Sequence, residues 1–467
     1  MTKFKKHTLL FMLLLLGAAA CRVTKQYERP VVPDQGLYRD VQSTDTNSIG
    51  LMRWDSLFTD PVLQTLVREG LEKNLDLRSA LERIKSADAA LRQSRAAFLP
   101  SLNADVSVTD NKQSRAALNF PPGININLET QTYRAQLSTS WEADIWGKLS
   151  SGRRAALATL LQTEAAKRAI QTQLVSAIAN NYYALLALDK QLAITEETIR
   201  IRIQDVETMR SLKEGAVVNG AAVVQSEANR YAAEVTVPDL KQGIRETENA
   251  LSILLARAPG TIVRGKLESQ VPLTNLETGV SSQLLKNRPD VQQAEFAFRA
   301  SFENTNVART FFYPSLTLTA GGGLSSLQLQ NFFSQSIFYN IVGGLTQPIF
   351  NRGLNKARLR TAQANQQIAY NDFQQSLLNA GNEVSNYLYA YQAASDKQQS
   401  RSRQIASLTK AVEYTKELLR YSSATNYTDV LTSEQALLAA QLAGVNDQLQ
   451  KLQAVVNLYR ALGGGWQ

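Results

Sequence analysis

Residue types that perform covalent chemistry are scarce in this chain of 467 residues. It contains one histidine, His7, and one cysteine, Cys21, and both lie close to the N-terminus. Beyond them the chain cannot build a Ser-His-Asp or Cys-His nucleophile, a zinc site of His or Cys ligands, or a disulfide framework. It also lacks the glycine motifs that hold nucleotide phosphates. Carboxylate chemistry stays open because Asp and Glu are plentiful, but the sequence predicts no enzyme, no cofactor and no metal site.

Cys21 follows a segment with the features of an export signal. Three lysines precede an apolar run over residues 9–16, and Gly and Ala fill residues 17–20. Such a run is too short for a permanent transmembrane helix. Bacterial lipoproteins carry their acylated cysteine at this position, so we predict a signal peptide over residues 1–20 and a lipid anchor on Cys21. The alternative is an ordinary signal cleaved near Ala20, in which Cys21 would have no role.

The charge of the chain is modest once the signal is removed. Residues 1–20 contain three lysines and no acid, so the net charge falls from +9 to +6. The remaining charges are interspersed and form no basic block, which does not favour nucleic acid as a partner.

The sequence contains an internal duplication. Asp76 corresponds to Asp290 at an offset of 214 residues, and Glu227 corresponds to Glu434 at an offset of 207, each within a longer matching set. Insertions fall only between these sets, as expected for loops. The predicted parts are a signal peptide (1–20), an N-terminal anchor segment (21–60), a first repeat (61–260), a linker (261–280) and a second repeat (281–467).

Each repeat has the same predicted order of elements, namely a helix, two strands and a long helical hairpin. In the first repeat the helix runs from Pro61 to Phe98 and is ended by Pro100. Alternation of apolar and polar residues predicts the strands Ser101–Asp110, Tyr133–Trp141, Leu316–Thr319 and Ile337–Leu345. The predicted long helices are 153–214 and 355–421, and the return helices are 221–257, interrupted at Pro238, and 429–462.

The four strands indicate a membrane protein. Each is about ten residues long, which suits a tilted membrane-spanning strand with one apolar and one polar face. A soluble β-sandwich is the other possibility, but four strands in a mainly helical chain make too small a sheet for it. Four strands cannot close a barrel, so two copies must share eight strands or three copies must share twelve. Each long helix would extend roughly 100 Å from that barrel.

Several different short motifs follow one another along the chain. They are Trp54, Phe58-Thr59-Asp60-Pro61, Asn74-Leu75-Asp76-Leu77, Phe98-Leu99-Pro100-Ser101-Leu102, Arg288-Pro289-Asp290, Phe312-Tyr313-Pro314-Ser315-Leu316 and Pro348-Ile349-Phe350. In these motifs the chain resembles the TolC-type outer membrane factors, and more narrowly the OprM-like lipoproteins that serve RND efflux pumps. The resemblance implies a mainly α fold with membrane β: a homotrimer with an α-helical barrel in the periplasm and a shared 12-stranded β-barrel in the outer membrane. It also implies an equatorial domain, to which residues 21–60 and 261–280 would contribute.

The same resemblance implies a function. The protein would be a passive exit duct for drugs or other small toxic compounds. Its expected partners are two further copies of itself, a periplasmic adaptor protein, an inner-membrane RND transporter and outer membrane lipids. The exit duct of a type I protein secretion system is the alternative within this fold, and the lipidated cysteine favours the efflux function. A lipid-anchored coiled coil without a pore is disfavoured by the four strands.

The resemblance also implies a site at the ends of the hairpins. Tyr421 and Asp429 match residues that close the periplasmic aperture in the family, although the prototype's charged partners are absent. The neutral residues that replace these partners are Asn426, Thr432 and Ala222. The residues expected to contact the adaptor are Gly215, Asn219, Gly220, Ser422 and Asn426. Helix capping is the alternative role for Asp429, and packing between helices is the alternative for Tyr421.

Overall fold

The computed structural model describes residues 23–32, 36–39, 47–117, 127–273, 276–421 and 427–466. Three residues with a predicted role lie outside these ranges, namely Cys21, Ser422 and Asn426. The chain forms two compact units. One comprises residues 1–30, 84–162 and 295–372, and the other comprises residues 31–83, 163–294 and 373–467.

The predicted fold class is confirmed: the chain is mainly helical and contains one four-stranded sheet. The first half consists of α1 (Trp54–Leu57), α2 (Pro61–Lys73), α3 (Leu75–Ala96), β1 (Ser101–Lys112), β2 (Glu129–Ala143), α4 (Lys148–Glu214), α5 (Gly220–Glu234) and α6 (Thr236–Leu254). The second half consists of α7 (Leu284–Asn287), α8 (Pro289–Thr310), β3 (Ser315–Ser326), β4 (Ile337–Thr346), α9 (Leu354–Tyr421) and α10 (Tyr427–Ala461). Helices, two strands and a long helical hairpin therefore follow one another in the same order twice.

The predicted single helix from Pro61 to Phe98 is wrong, because the chain breaks at Asn74. This residue is extended (φ −53°, ψ 130°) and ends α2. Its side chain accepts a hydrogen bond from the backbone N–H of Leu77 and donates one to the carbonyl of Leu254, both at 3.0 Å. An asparagine that caps the next helix and bonds a distant carbonyl favours the break over a continuous helix.

The second repeat breaks its helix at the corresponding position. Arg288, at the offset of 214 from Asn74, is extended and separates α7 from α8. Its guanidinium is buried and pairs with Asp290 at 2.5 Å and Glu383 at 2.8 Å. It also donates to the carbonyl of Ala461 at 3.1 Å. The two repeats thus share a backbone break but stabilise it with different side chains.

The predicted interruption at Pro238 is present. Helix α5 ends at Glu234, and α6 begins at Thr236. Proline has no N–H to donate to the carbonyl four residues earlier, which here belongs to Glu234. In the second repeat the return helix α10 is continuous over 35 residues.

The sheet is antiparallel throughout, in the order β1-β2-β3-β4. Its register puts the alternating apolar residues of all four strands on one face. The large members of this apolar face are Leu102, Val106, Val108, Tyr133, Leu137, Trp141, Leu316, Leu318, Leu324, Ile337, Tyr339, Ile341 and Leu345. The opposite face is mostly polar, with Phe338 as an exception that lies under the guanidinium of Arg134 at 4.7 Å. The strand prediction is confirmed, and each strand extends beyond the predicted bounds.

Two of the helices are far longer than those of ordinary globular proteins. Helix α4 has 67 residues and α9 has 68, or about 100 Å each at 1.5 Å per residue. No helix in the part of the chain that the structure describes carries an apolar stretch that could cross a membrane.

Replacement of Asn74 by alanine is expected to destabilise the break between α2 and α3. The variant loses a helix cap and leaves the partly buried carbonyl of Leu254 without its donor, so the free energy of unfolding should fall by about 1–2 kcal/mol. Thermal unfolding of the purified protein measures the change. Asn386→Ala, at an exposed position of α9, is the matched control and should stay within about 0.5 kcal/mol. Equal transition temperatures for the two variants would contradict the proposed role of Asn74.

Candidate functional site

The end of the first hairpin is closed by backbone hydrogen bonds. The N–H of Val217 donates to the carbonyl of Leu212 at 2.8 Å, and the N–H of Ala216 donates to that of Lys213 at 3.0 Å. This pattern is a Schellman motif. It places Ala216 in the left-handed conformation, with φ of 58°. The turn is therefore compact and ordered by its own backbone.

The other predicted residues of this turn begin the return helix. The side chain of Asn219 accepts a hydrogen bond from the N–H of Ala222 at 3.2 Å and caps α5. Gly220 is the first residue of that helix. Of the predicted adaptor-contacting residues, these two and Gly215 lie together at one hairpin end.

The end of the second hairpin carries both predicted aperture residues. Tyr421 is the last residue of α9, and its side chain is 86% exposed. Asp429 is exposed in the first turn of α10, and its carbonyl accepts a hydrogen bond from the hydroxyl of Ser433 at 2.9 Å. A carboxylate in a first turn is favoured by the helix dipole, so the predicted electrostatic role at the helix start is compatible with its position.

An apolar cluster joins the two hairpins just before these turns. Its buried members are Met209, Val223, Tyr427, Val430 and Leu431. The hydroxyl of Tyr427 lies 2.7 Å from that of Ser226, so α10 and α5 are linked by a buried hydrogen bond. Tyr427, and not Tyr421, belongs to this cluster.

A group of buried charges lies beside the apolar cluster. The ammonium of Lys416 in α9 lies 2.5 Å from a carboxylate oxygen of Glu434 in α10 and 3.5 Å from one of Asp205 in α4. Arg202, also in α4, is buried and donates to the carbonyl of Asn229 in α5. We refer to Arg202, Asp205, Lys416 and Glu434 as the charge cluster. Its contacts connect α4, α5, α9 and α10.

The charge cluster changes the acidity of its members. Burial, together with the nearby carboxylate of Glu434, raises the pKa of Asp205 from 3.8 to about 6. For Lys416, burial is the largest single influence and acts to lower the pKa, but the hydrogen bonds and charges of Glu434 and Asp205 together outweigh it, so the pKa is raised. In the folded protein, Asp205 is therefore protonated at a higher pH than an ordinary aspartate.

Sequence reasoning missed the charge cluster. It identified Glu434 only as the counterpart of Glu227 in the duplication. Arg202 and Asp205 flank the buried stripe of α4 that includes Val206 and Met209. Charged residues next to such a stripe indicate buried polar contacts. Periodicity alone does not show which other helix packs against these residues.

The outer membrane efflux protein family matches this chain over residues 66–257 and 280–464. The chain belongs to that family. The resemblance to TolC-type outer membrane factors is thereby confirmed, and this outer membrane efflux protein is located in the outer membrane with a helical periplasmic extension.

Relatives of this efflux protein are similar along their whole length. CusC of Escherichia coli K12, a cation efflux system protein, is 30% identical over 462 residues, which are 96% of this chain and 97% of CusC. SrpC of Pseudomonas putida, the outer membrane protein of a solvent efflux pump, is 29% identical over 99% of both chains. A crystal structure of the open state of the MtrE outer membrane channel of Neisseria gonorrhoeae matches with a TM-score of 0.84 at 25% identity, over 96% of this chain and 99% of MtrE.

In this efflux protein, Asp205→Asn is expected to stabilise the contact between the hairpins at neutral pH. Because folding raises the pKa of Asp205 from 3.8 to about 6, its ionisation disfavours the folded state above pH 6, and this penalty decreases progressively as pH falls from about 6 toward 3.8. The amide should raise the free energy of unfolding by about 1–2 kcal/mol at pH 7.5. At pH 5, where Asp205 is protonated, the difference from wild type should shrink.

Thermal unfolding at the two pH values measures this effect. The control is Glu413→Gln, which removes an exposed carboxylate from α9 and should follow wild type at both values. A variant whose stability differs from wild type by the same amount at pH 7.5 and pH 5 would show that Asp205 does not titrate in this range.

Proposed function

We propose that the protein is the outer membrane exit duct of a tripartite efflux pump, built from three copies of the chain. The observation that carries this proposal is the sheet with one apolar face and a free edge on both sides. The apolar face suits lipid and the polar face suits a water-filled lumen.

The free edges argue for a barrel shared between copies. Among the described residues, β1 and β4 each pair on one side only. A free strand edge in lipid leaves backbone groups without hydrogen bonds, at a cost of several kcal/mol for each group. Pairing β1 of one copy with β4 of the next removes both edges. Three copies supply twelve strands, and the similarity to the MtrE channel over nearly the whole chain supports this closed arrangement over an open sheet.

The remaining pump components are proposed from the family. The duct would receive its cargo from an inner-membrane RND transporter through a periplasmic adaptor, with Cys21 acylated as an additional anchor. CusC belongs to a cation efflux system and SrpC to a solvent efflux pump, so similar ducts serve chemically different cargo. We infer that the duct conducts small compounds passively and that the pump selects them.

The hairpin ends are proposed as the periplasmic aperture and docking region. Three copies of Asp429 would form an acidic ring that favours cations, and Tyr421 would narrow the opening. The adaptor would contact the turns of both hairpins, at Gly215, Asn219, Gly220, Ser422 and Asn426. The exposure of Tyr421 and Asp429 is compatible with roles toward a lumen or a partner.

A cysteine pair tests the shared barrel. Val106 in β1 and Ile341 in β4 lie near the middle of the edge strands, on the apolar face. The double variant Val106→Cys, Ile341→Cys, treated with a short bis-maleimide, should give covalent dimers and trimers on a denaturing gel. Single variants are the controls and should stay monomeric, because each interface would pair β1 with β4. A ladder that ends at the dimer would indicate eight strands, and monomers alone would refute the shared barrel.

Planar-bilayer conductance tests the acidic ring. Asp429→Asn should lower the permeability ratio of potassium over chloride by roughly twofold, because one carboxylate is lost from each copy. Tyr421→Ala should raise the conductance of the undocked duct. Asp396→Asn, at an exposed position elsewhere on α9, is the control and should behave as wild type. Unchanged selectivity in a folded Asp429→Asn trimer would leave this residue with a helix-stabilising role only.

A further inference from the structure

Basic residues are concentrated where each long helix leaves the sheet. Residues 347–371, which follow β4, contain four basic residues and no acid, and residues 144–163, which follow β2, contain three basic residues and one acid, Asp144. The four in the second repeat are Arg352, Lys356, Arg358 and Arg360, and the three in the first are Lys148, Arg153 and Arg154. Both repeats therefore carry an excess of positive charge at the same point of the fold.

Most of these cations are exposed and have no acidic partner. Lys148 pairs with Glu142 at 2.9 Å, and Arg154 pairs with Glu303 at 2.8 Å. The other five cations are exposed and make no ion pair with any residue that the structure describes. We call these five residues the basic band: Arg153, Arg352, Lys356, Arg358 and Arg360.

The register of the sheet fixes the level of the basic band. Ser101 pairs with Ser140, and Ser315 pairs with Thr346, so β1 and β3 begin at the end of the sheet where β2 and β4 finish. Both long helices start within a few residues of this end. Four members of the band occupy the first two turns of these helices, within about 10 Å of the helix start, and Arg352 lies two residues before α9. Headgroup layers begin where the apolar core ends, so the band lies at their level.

Helix formation does not account for the charges. Cations in the first turns of α4 and α9 oppose the helix dipole. Lys356 and Arg360 are four residues apart, a spacing at which like charges repel. Arg352 has a φ of 58°, a left-handed conformation that favours glycine. Three features unfavourable for local structure thus coincide in one short segment.

Two aromatic residues link Arg153 of the basic band to the apolar face. Trp141 belongs to that face, and its indole N–H donates to the carbonyl of Phe98 at 2.9 Å. The guanidinium of Arg153 lies 5.4 Å from the ring centre of Phe98. An aromatic residue at the border of an apolar face, followed by a cation, is the arrangement found at a lipid–water interface.

We propose that the basic band binds the phosphates of anionic phospholipids in the periplasmic leaflet of the outer membrane. The inference rests on the proposed barrel, which turns the apolar face toward lipid and the helices toward the periplasm. Five cations from each copy would form a positive ring around the trimer. Such a ring enriches anionic headgroups over zwitterionic ones, and salt weakens the effect. Lipopolysaccharide carries similar phosphates but occupies the opposite leaflet.

Native mass spectrometry of the purified full-length trimer tests the proposal with phosphatidylglycerol and phosphatidylethanolamine of equal chain length. Wild type should bind phosphatidylglycerol at least tenfold more tightly. The variant Arg352→Gln, Lys356→Gln, Arg360→Gln should lose most of this preference. The control Lys397→Gln, Arg403→Gln, Lys410→Gln removes three exposed cations from another part of α9 and should keep it.

The possible outcomes distinguish a failure of the proposed lipid site from a failure of the proposed duct. Trimer formation and conductance are read on the same samples, so a conducting trimeric variant that loses the preference supports the band. A conducting wild type without a preference for phosphatidylglycerol, equal losses in variant and control, or binding only of added lipopolysaccharide would overturn it. A wild type that forms no trimeric pore would overturn the proposed function, and with it the membrane level assigned to the band.

Discussion

Backbone hydrogen bonding in lipid is the constraint on which the rest of this structure depends. A sheet of four strands has two edges, and a membrane offers no water to satisfy them. The chain therefore cannot complete its membrane part alone, because β1 and β4 each pair with only one neighbour among the described strands. The need for further copies follows from this shortage of strands, and the internal duplication supplies two strands from each repeat rather than one closed barrel.

The contact between the two hairpins is held by apolar and charged groups together. The cluster around Met209 and Tyr427 excludes water, whereas the adjacent charge cluster keeps Lys416, Glu434 and Asp205 in partly buried surroundings. Burial of ions costs desolvation free energy that well-packed apolar residues would not require. The polar part consequently adds geometric specificity more than stability, because the ammonium must lie between carboxylates from two different helices.

The sequence predicts the strands well and the helix junctions poorly, for a physical reason. Period-two alternation records directly which side of a strand contacts lipid, so it identified all four strands. The break at Asn74 depends on the carbonyl of Leu254, which is 180 residues away, and no local pattern contains that contact. Tyr421 and Tyr427 similarly look alike in sequence, but only Tyr427 faces the apolar cluster, because of how α10 packs against α5. The duplication located the hairpin ends, whereas tertiary packing decided their buried residues.

The two repeats have the same order of elements but unequal hairpins, and this inequality has a mechanical consequence. The first return helix is interrupted between α5 and α6 near Pro238, whereas α10 continues without a break. A long helix bends sharply at a proline or at a break in its hydrogen bonds, and α10 contains neither. Any displacement of one hairpin against the other must change the surface that they share before the turns. That surface contains the charge cluster, in which the ammonium of Lys416 lies between carboxylates of α4 and α10. The duplication thus provides two similar arms whose shared surface any relative movement must alter.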